Sequence, residues 1–296
     1  MNKKIYRLDI LIEYFYRGLL QKDSPELRDY YRGIYGRAGE NSMREILEEE
    51  LQDQCLIIHD LLIEFNGLTQ VDFLLMWNNF WCVIEVKNYS GLLRVENNIC
   101  YHNDESLSKN QLAVMQNRLR IIKELAHKIN PQIIVKGLFI LIHPEGDHQI
   151  DAKYDFEILT RNQIKRYIRT HIAGKHIAHQ QVINQDLQKI LTYQTHFREQ
   201  LPTMTNENWE KSYKGTRCPD CNHYLKPRKG WYLHCYNCGK KYSKQKLALD
   251  LHKQLTLLYH DQPKVITFKR ISELSGGSIH EATIYRALTI FNKKNK

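Results

Sequence analysis

Two cysteine pairs constrain the fold of this chain more than any other feature of its sequence. Cys218-Pro-Asp-Cys221 and Cys235-Tyr-Asn-Cys238 each space two thiols three positions apart, and thirteen residues separate the pairs. Each CxxC turn presents two thiolates to one ion about 2.3 Å away, so two such turns complete a tetrahedral site. A closed site of four cysteines is structural rather than catalytic. The pattern therefore predicts a zinc ribbon in which all four thiolates hold Zn²⁺.

The remaining sequence argues against a secreted or membrane-spanning protein. The chain has seven cysteines, and an odd number without a secretory signal disfavours a disulfide framework. Its apolar runs span only a few residues, too few to cross a bilayer, and Asp9 and Glu13 interrupt the segment where a signal peptide would need an apolar core. We expect a cytoplasmic protein that does not bind membranes.

Positive charge is concentrated in the last third of the chain. The 296 residues carry a formal net charge of +10, and residues 201–296 hold 18 Lys and Arg against 7 Asp and Glu. The first 200 residues are close to neutral, with 25 basic and 26 acidic side chains. This asymmetry suggests a polyanion-binding module joined to a neutral body, and nucleic acid is the commonest polyanion in a cytoplasm. A basic surface that serves solubility is the alternative.

Hydrophobic periodicity predicts the order of helices and strands. A helix is expected over about residues 4–20, and a short helix with a tight loop over 24–40, where three glycines fall. The later elements are an amphipathic helix over 40–54, strands over 55–65, 71–77, 80–87 and 92–96, a helix over 107–129 and a buried strand over 133–143. This order predicts an α/β sandwich with one sheet partly covered by helices.

Asp72, Glu85 and Lys87 form a candidate active site on this sheet. Residues two apart on a strand point to the same face, so Glu85 and Lys87 share a side that Asp72 can reach from the neighbouring strand. Two carboxylates in an apolar surrounding favour a divalent cation such as Mg²⁺ or Mn²⁺. Lys87 could orient or deprotonate water, or stabilise charge on a phosphate. A solvated strand face with an ordinary Lys–Glu pair is the alternative.

The segments GRAGENSMREILEEEL, TQVDFLLM and CVIEVKNYSGLL resemble, in this order, the nuclease-related domain (NERD) of the PD-(D/E)xK nuclease superfamily. The resemblance covers about residues 33–143 and implies a restriction-endonuclease-like sandwich with a mixed central sheet. It implies that Glu40 assists metal binding from the start of a helix, that Asp72 and Glu85 are metal ligands, and that Lys87 is catalytic. Gly91 matches the glycine that follows the lysine strand in the family.

The resemblance is weakest in the helix after the sheet. The family has an Asn-Pro-x-x-Gln-like element there, whereas this chain reads LSKNQLAVMQ, with Ser108 in place of the proline. Gln111 is the better match for the family glutamine, and Gln116 is the second choice. The superfamily's Pro-Asp motif is relaxed to Val71-Asp72, which keeps the carboxylate.

The ribbon carries cations and aromatic rings together, a combination that suits single strands with accessible phosphates and bases. Its candidate nucleic-acid-binding residues are Arg228, Lys229, Trp231, Lys240 and Lys241. We expect at least one of Trp231 and Tyr232 to pack the small ribbon core. A ribbon that docks onto a protein is the alternative.

The C-terminal segment resembles a helix-turn-helix. Helices are predicted over 268–275 and 279–291, with Gly276-Gly277 between them and Ser278 as the cap of the second helix. This arrangement leaves Arg286 exposed for DNA. A helical hairpin that only completes the fold is the alternative.

Together these features predict a metal-dependent nuclease that acts on nucleic acid, with DNA favoured over RNA. The expected parts are an N-terminal helical extension (1–32), a nuclease-like domain (33–150), a helical connector (151–208), a zinc ribbon (209–245) and a helix-turn-helix-like tail (246–296). A nucleic-acid-binding or adaptor protein that keeps the fold without its chemistry is the second hypothesis, and a sequence-specific regulator is the third. A homodimer or a protein partner stays open.

Overall fold

The computed structural model describes residues 6–150, 152–195 and 201–294. The chain divides into two units, between Gly33 and Ile34 and again between residues 195 and 201. We call the described residues from 34 to 195 the sheet unit, and the described residues 6–33 and 201–294 the cysteine unit. Among all of these residues, no helix combines the length and the apolar character that crossing a bilayer requires.

The helices and strands follow one another along both units. In chain order they are α1 (Arg7–Tyr16), α2 (Pro25–Leu51), β1 (Leu56–Glu64), β2 (Leu68–Met76), β3 (Phe80–Lys87), β4 (Gly91–Glu96), β5 (Ile99–His102), β6 (Glu105–Ser106), α3 (Gln111–Ile129), β7 (Ile134–Leu141), β8 (Gly146–Gln149), β9 (Phe156–Thr160), α4 (Arg161–His171), α5 (Gln180–Leu191), α6 (Asn206–Lys211), β10 (Tyr232–His234), β11 (Lys241–Ser243), α7 (Lys244–Leu258), a 3-10 turn (Pro263–Val265), α8 (Phe268–Leu274) and α9 (Glu281–Lys294).

The sheet unit is built on a five-stranded mixed sheet in the order β1-β2-β3-β7-β9. The first three strands are antiparallel, and β3, β7 and β9 run parallel to one another. One apolar cluster joins a face of this sheet to α3 and α5, and another joins the opposite face to α2 and α4. A smaller sheet has the order β6-β5-β4-β8. The predicted α/β sandwich with a mixed sheet is confirmed.

Helix α2 differs from its prediction. A short helix followed by a tight loop was expected within 24–40, and the loop is wrong, because one helix runs from Pro25 to Leu51. Pro25 suits the first helical position, where its missing N–H has no helical partner. The hydroxyl of Ser24 accepts a hydrogen bond from the main-chain N–H of Leu27 at 3.1 Å and so caps the helix. Gly33 and Gly39 lie where a side chain would collide with neighbouring residues, which explains why glycine occupies these two helical positions.

Strand β9 has no counterpart among the predicted strands, and it extends the sheet beyond β7. Its register runs from Gly137↔Phe156 to Leu141↔Thr160. Thr160 then begins α4 through a capping box with Gln163, whose side chain accepts the main-chain N–H of Thr160 at 2.9 Å. Part of the segment expected as a helical connector therefore forms a strand and two helices of the sheet unit.

The cysteine unit has its own core, which includes residues from both ends of the chain. Ile10 and Tyr14 of α1 pack in one cluster with Leu233, Leu251 and other buried side chains of residues 204–287. A buried ion pair joins Glu13 to Arg217, with Nη2 of the arginine 2.5 Å from Oε1 of the glutamate. Helix α1 is therefore an integral part of this unit.

Candidate active site and cysteine cluster

Strands β2 and β3 separate beside Asp72. Their ladder runs from Met76↔Trp81 to Phe73↔Ile84, and the next pair in this register would be Asp72 and Glu85. At that point the Oδ2 atom of Asp72 accepts a hydrogen bond from the main-chain N–H of Val86 at 2.8 Å. The side chain of Asp72 therefore takes the place of a strand partner for the N–H of Val86, and this bond holds the carboxylate next to the end of β3.

Glu85 is buried and bound by two cations. Its Oε1 atom lies 2.6 Å from Nζ of Lys87, which is two residues along the same strand face. Its Oε2 atom accepts a hydrogen bond from the guanidinium of Arg118, which reaches it from α3. Only 3% of Glu85 is exposed, so both cations neutralise a charge that water cannot solvate.

Burial and the neighbouring Glu85 perturb the Asp72 carboxyl group electrostatically. Burial and the negative charge of Glu85 raise the pKa of Asp72 to about 7, against the Val86 hydrogen bond and the ammonium of Lys87, which lower it. Burial works to lower the pKa of Lys87, but the charges of Glu85 and Asp72 outweigh it and raise that pKa above its usual value. A buried aspartate whose raised pKa opposes its ionisation beside a second carboxylate suits an added cation.

Glu40 lies in the middle of α2, which corrects its expected place at the start of a helix. A Cβ atom on the preceding Gly39 would lie 2.8 Å from Cβ of Asn88 and 3.0 Å from Cγ2 of Ile142. These two residues follow β3 and β7, so the glycine lets α2 approach the carboxyl ends of both strands. The charge of Glu40 contributes to the raised pKa of Asp72, in agreement with its proximity to the site.

A histidine and an arginine orient the Glu40 carboxylate. The Nη2 atom of Arg44 lies 2.9 Å from Nδ1 of His59, and Nε2 of His59 lies 2.9 Å from Oε2 of Glu40. Arginine is only a donor, so Nδ1 accepts and the ring proton stays on Nε2, from which it is donated to Glu40. The chain Arg44–His59–Glu40 therefore fixes one carboxylate oxygen of Glu40.

The two glutamine candidates make other contacts. The side chain of Gln111 donates to the carbonyl oxygen of Lys109 at 3.4 Å, and that of Gln116 accepts from the main-chain N–H of Asp155 at 3.3 Å. In the part of the chain that the structure describes, neither contacts Asp72 or Glu85. The structure places Arg118 there instead, two helical turns beyond Gln111.

Sequence reasoning missed Arg118, although one signal pointed to it. The core stripe of α3 contains Met115 and Ile122, and Arg118 lies three and four residues from them. A cation at this spacing faces the sheet, because residues three and four apart share a helix face. An arginine on the inward side of a helix needs a buried anion, and Glu85 is that anion.

An open groove lies between the start of β2 and the start of α3. Its volume is about 530 Å³. Polar and basic side chains line much of it: Gln70, Lys109, Asn110, Asn117 and Arg118. Arg118, whose side chain binds Glu85, is therefore part of the wall of this groove.

The four cysteine sulfurs converge in the cysteine unit. All lie within 4.8 Å of one another, with Cys218 and Cys238 3.6 Å apart and Cys221 and Cys235 3.4 Å apart. Four sulfurs at about 2.3 Å from one tetrahedral ion would stand about 3.8 Å apart. Within the described residues this is the single group of three or more His, Cys, Asp or Glu side chains with converging ligand atoms. The cluster is compatible with a zinc ribbon.

The thiols of this cluster do not ionise equally. Burial opposes ionisation of Cys218, but hydrogen bonds from Tyr242 and from the main-chain N–H groups of Asp220 and Cys221 lower its pKa to about 6. The main-chain N–H of Lys240 favours the thiolate of Cys238, yet burial and the neighbouring sulfurs raise its pKa to about 12. A cluster with this imbalance accommodates four thiolates only when a cation offsets their charge.

The predicted nucleic-acid-binding side chains are all exposed. They are Arg228, Lys229, Trp231, Lys240, Lys241 and Arg286. The expectation that Trp231 or Tyr232 packs the ribbon core is wrong, since 68% and 48% of these residues are accessible to solvent. Leu225, Leu233 and Tyr242 fill that core.

The C-terminal helices form a helix-turn-helix-like arrangement. Gly276 and Gly277 adopt φ values of +64° and +74° between α8 and α9, a conformation that glycine takes without strain. The predicted cap is corrected, because Ser278 is buried and bonds Thr216 at 2.8 Å. The ring of His280 instead accepts the main-chain N–H of Ala282 at 3.2 Å. The arrangement leaves Arg286 on the exposed side of α9.

Comparison with known proteins agrees with this geometry. Residues 35–142 match the model of the nuclease-related domain. Neither the curated proteins nor the solved structures gave a match to the chain. The matched segment contains Glu40, Asp72, Glu85, Lys87 and Arg118. Residues 35–142 are therefore a match to the nuclease-related domain (NERD), and a four-cysteine cluster compatible with a zinc ribbon follows them in the chain.

Proposed function

We propose that this protein is a divalent-metal-dependent nuclease that hydrolyses phosphodiester bonds in nucleic acid, with DNA as the favoured substrate. The observation that supports it is the opposition of Asp72 and Glu85 where β2 and β3 separate, with Lys87 on the same face. The matched nuclease-related domain supports the same reaction class.

The residues fit a hard divalent cation. Asp72 and Glu85 supply carboxylate oxygens, the ligands that Mg²⁺ and Mn²⁺ prefer. The Val86 hydrogen bond engages Oδ2 of Asp72 and leaves Oδ1 outside that contact. The raised pKa of Asp72 reflects burial and like-charge repulsion, and a cation would offset both. When bound, it would supply positive charge beside the phosphate and the attacking water.

The protein's own groups would do the rest. Lys87 has a raised pKa, so it stays an ammonium that donates hydrogen bonds to water or phosphate oxygens and does not serve as a base. Arg118 positions Glu85 and adds a second cation at the edge of the groove. Glu40, oriented by His59, assists from α2.

The cysteine unit would hold the substrate. Zn²⁺ on Cys218, Cys221, Cys235 and Cys238 would be structural, because four thiolates leave no open coordination position. The exposed cations Arg228, Lys229, Lys240 and Lys241 on the ribbon, and Arg286 on α9, would contact phosphates. The net positive charge of residues 201–296 supports this division of labour.

A cleavage assay tests the catalytic assignment. Wild type, Asp72→Asn and Lys87→Ala would be incubated with supercoiled plasmid and labelled single strands, in Mg²⁺, in Mn²⁺ and without divalent metal. We expect metal-dependent cutting by the wild type, and a loss of at least about 100-fold in both variants, because each removes charge that acts on the transition state.

Glu64→Gln is the matched control, since Glu64 is an exposed carboxylate at the end of β1. It should cut as the wild type does. Circular dichroism would establish that all variants are folded. Undiminished cutting by Asp72→Asn would refute the catalytic assignment.

One observation favours a second candidate, a nucleic-acid-binding or adaptor protein that keeps the fold without the chemistry. Lys87 and Arg118 already occupy both oxygens of Glu85, so the site carries its own neutralising cations. Calorimetric titration with Mn²⁺ separates the two candidates. Binding that disappears in Asp72→Asn supports the nuclease, whereas the absence of binding together with firm association with nucleic acid supports the adaptor.

A further inference from the structure

The ribbon leaves three aromatic side chains in solvent, among them that of Trp231. Trp231 and Tyr236 are each 68% exposed and Tyr232 is 48% exposed. These three rings lie within six consecutive residues, while Leu225, Leu233 and Tyr242 fill the ribbon core. Exposing so much aromatic surface forgoes the stabilisation that its burial would bring, so the rings are placed where a partner can cover them.

Cations accompany these rings. Nζ of Lys241 lies 4.3 Å from the centroid of the Tyr232 ring, and Nζ of Lys226 lies 5.7 Å from that of Tyr236. From Cys221 to Leu249 the chain has seven Lys and Arg and no Asp or Glu. A surface with this composition offers stacking platforms and positive charge within the same few residues.

We propose that this surface, formed by Trp231, Tyr232, Tyr236 and the neighbouring lysines, binds single-stranded nucleic acid. Unpaired bases stack on the rings while the lysines contact the phosphates. A duplex offers its phosphates but keeps its base faces stacked inside, so it cannot use the rings. This inference deepens the proposed function, because it names the form of substrate that the cysteine unit holds.

Charge argues for this occupant over a protein. Protein interfaces are enriched in aromatic residues but depleted of lysine, and their centres exclude charge. Here six of the seven cations between Cys221 and Leu249 are lysines, two of which lie over the exposed rings. Only a polyanion with accessible ring faces complements both features.

The test uses the full chain with Asp72→Asn and no added divalent metal, so that binding is measured without cutting. Fluorescence anisotropy would compare a labelled single strand with a duplex of the same sequence. We expect the single strand to bind more tightly. Trp231→Ala should weaken its binding by about 5- to 150-fold, the range for losing one stacked base, and should leave duplex binding nearly unchanged.

Two variants serve as controls. Trp231→Phe keeps a ring and should retain most of the affinity, while Ile177→Ala removes an equally exposed apolar side chain (66%) outside the ribbon and should change nothing. Intrinsic fluorescence gives an independent signal, because the other three tryptophans are buried at 0–3% exposure. Single strands should therefore shield Trp231 from an aqueous quencher.

Equal affinity of Trp231→Ala and the parent for single strands would overturn the proposal, as would an equal loss for single strand and duplex. Unchanged quenching of Trp231 by the aqueous quencher would do the same and would favour a protein partner. Cleavage by the chain with Asp72 intact is read separately, so failure of the nuclease assignment and failure of this binding site can be told apart.

Discussion

Asp72 lies where the pairing of β2 with β3 ends, opposite the like-charged side chain of Glu85. Strand periodicity predicted that Asp72, Glu85 and Lys87 would share one face, since side-chain direction within a hairpin follows from local geometry alone. The contact of Arg118 with Glu85 could not be predicted in this way. The contact joins residues that are 33 positions apart in the sequence. It depends on how α3 packs on the sheet, and the whole core determines that packing.

The raised pKa of Asp72 predicts how stability responds to pH. The pKa is about 7 in the folded chain and near 3.9 in an unfolded one, so the folded state binds the extra proton between these values. Stability should therefore fall as the pH rises from about 4 to about 7, with a contribution of at most about 1.4 kcal/mol per pH unit from this group.

Urea unfolding of wild type and Asp72→Asn across this range, without added divalent metal, measures the effect. The variant should gain stability relative to the wild type as the pH rises, because it carries no charge to repel Glu85. A difference between the two proteins that does not vary with pH would contradict the shifted pKa.

At the scale of elements, α2 shows where sequence patterns are insufficient. Three glycines within seven residues predicted a loop, because each costs a helix about 1 kcal/mol relative to alanine. The helix continues through them since its contacts with the sheet outweigh that cost. Strand β9 was missed for a related reason. Its five residues, Phe156–Thr160, are too few to show an alternation of apolar and polar side chains, and the strand depends on pairing with β7.

Gly39 and Gly36 make a matched pair within α2. Gly39→Ala places a methyl group 2.8 Å from Cβ of Asn88, which should destabilise the chain by about 1–3 kcal/mol and reduce cleavage by about 10- to 100-fold as α2 moves away. A methyl group at Gly36 meets no atom of the described residues within 4 Å, so Gly36→Ala should stabilise by about 0.5–1 kcal/mol.

Urea unfolding and cleavage rates check both variants together. Similar behaviour of the two substitutions would show that the close approach of α2 to the strand ends does not limit stability or cleavage.

At the scale of the molecule, the unexpected result is the position of α1. Its apolar spacing predicted a helix with a buried face, and the helix is present over Arg7–Tyr16. The pattern could not say which surface buries that face. Two of its partners, Leu251 and Leu255, come more than 230 residues later, and no local signal links the two segments.

The ion pair between Glu13 and Arg217 gives this arrangement a test. Only 7% and 3% of the two side chains are exposed, so Glu13→Gln leaves a buried guanidinium without its counter-charge. We expect a loss of about 3–5 kcal/mol. Glu207→Gln breaks an exposed pair with Lys211, which solvent screens, and should leave the stability nearly unchanged.

Hydrogen exchange measured by mass spectrometry shows in which unit each variant loses stability. Glu13→Gln should accelerate exchange in α1 and α7 and leave the strands of the sheet unit protected. Equal acceleration in both units would contradict the division of the chain.

The contribution of α1 to the cysteine unit has a consequence for the order of biosynthesis. The Glu13–Arg217 contact spans 204 positions, and the ribosome needs about 10–40 s to add that many residues. Throughout this interval the emerging first helix lacks its partners, while the intervening residues already have a complete sheet to form. We therefore expect the cysteine unit to complete its fold after the sheet unit, because α1 lacks its partners until the residues from 204 onward have been added.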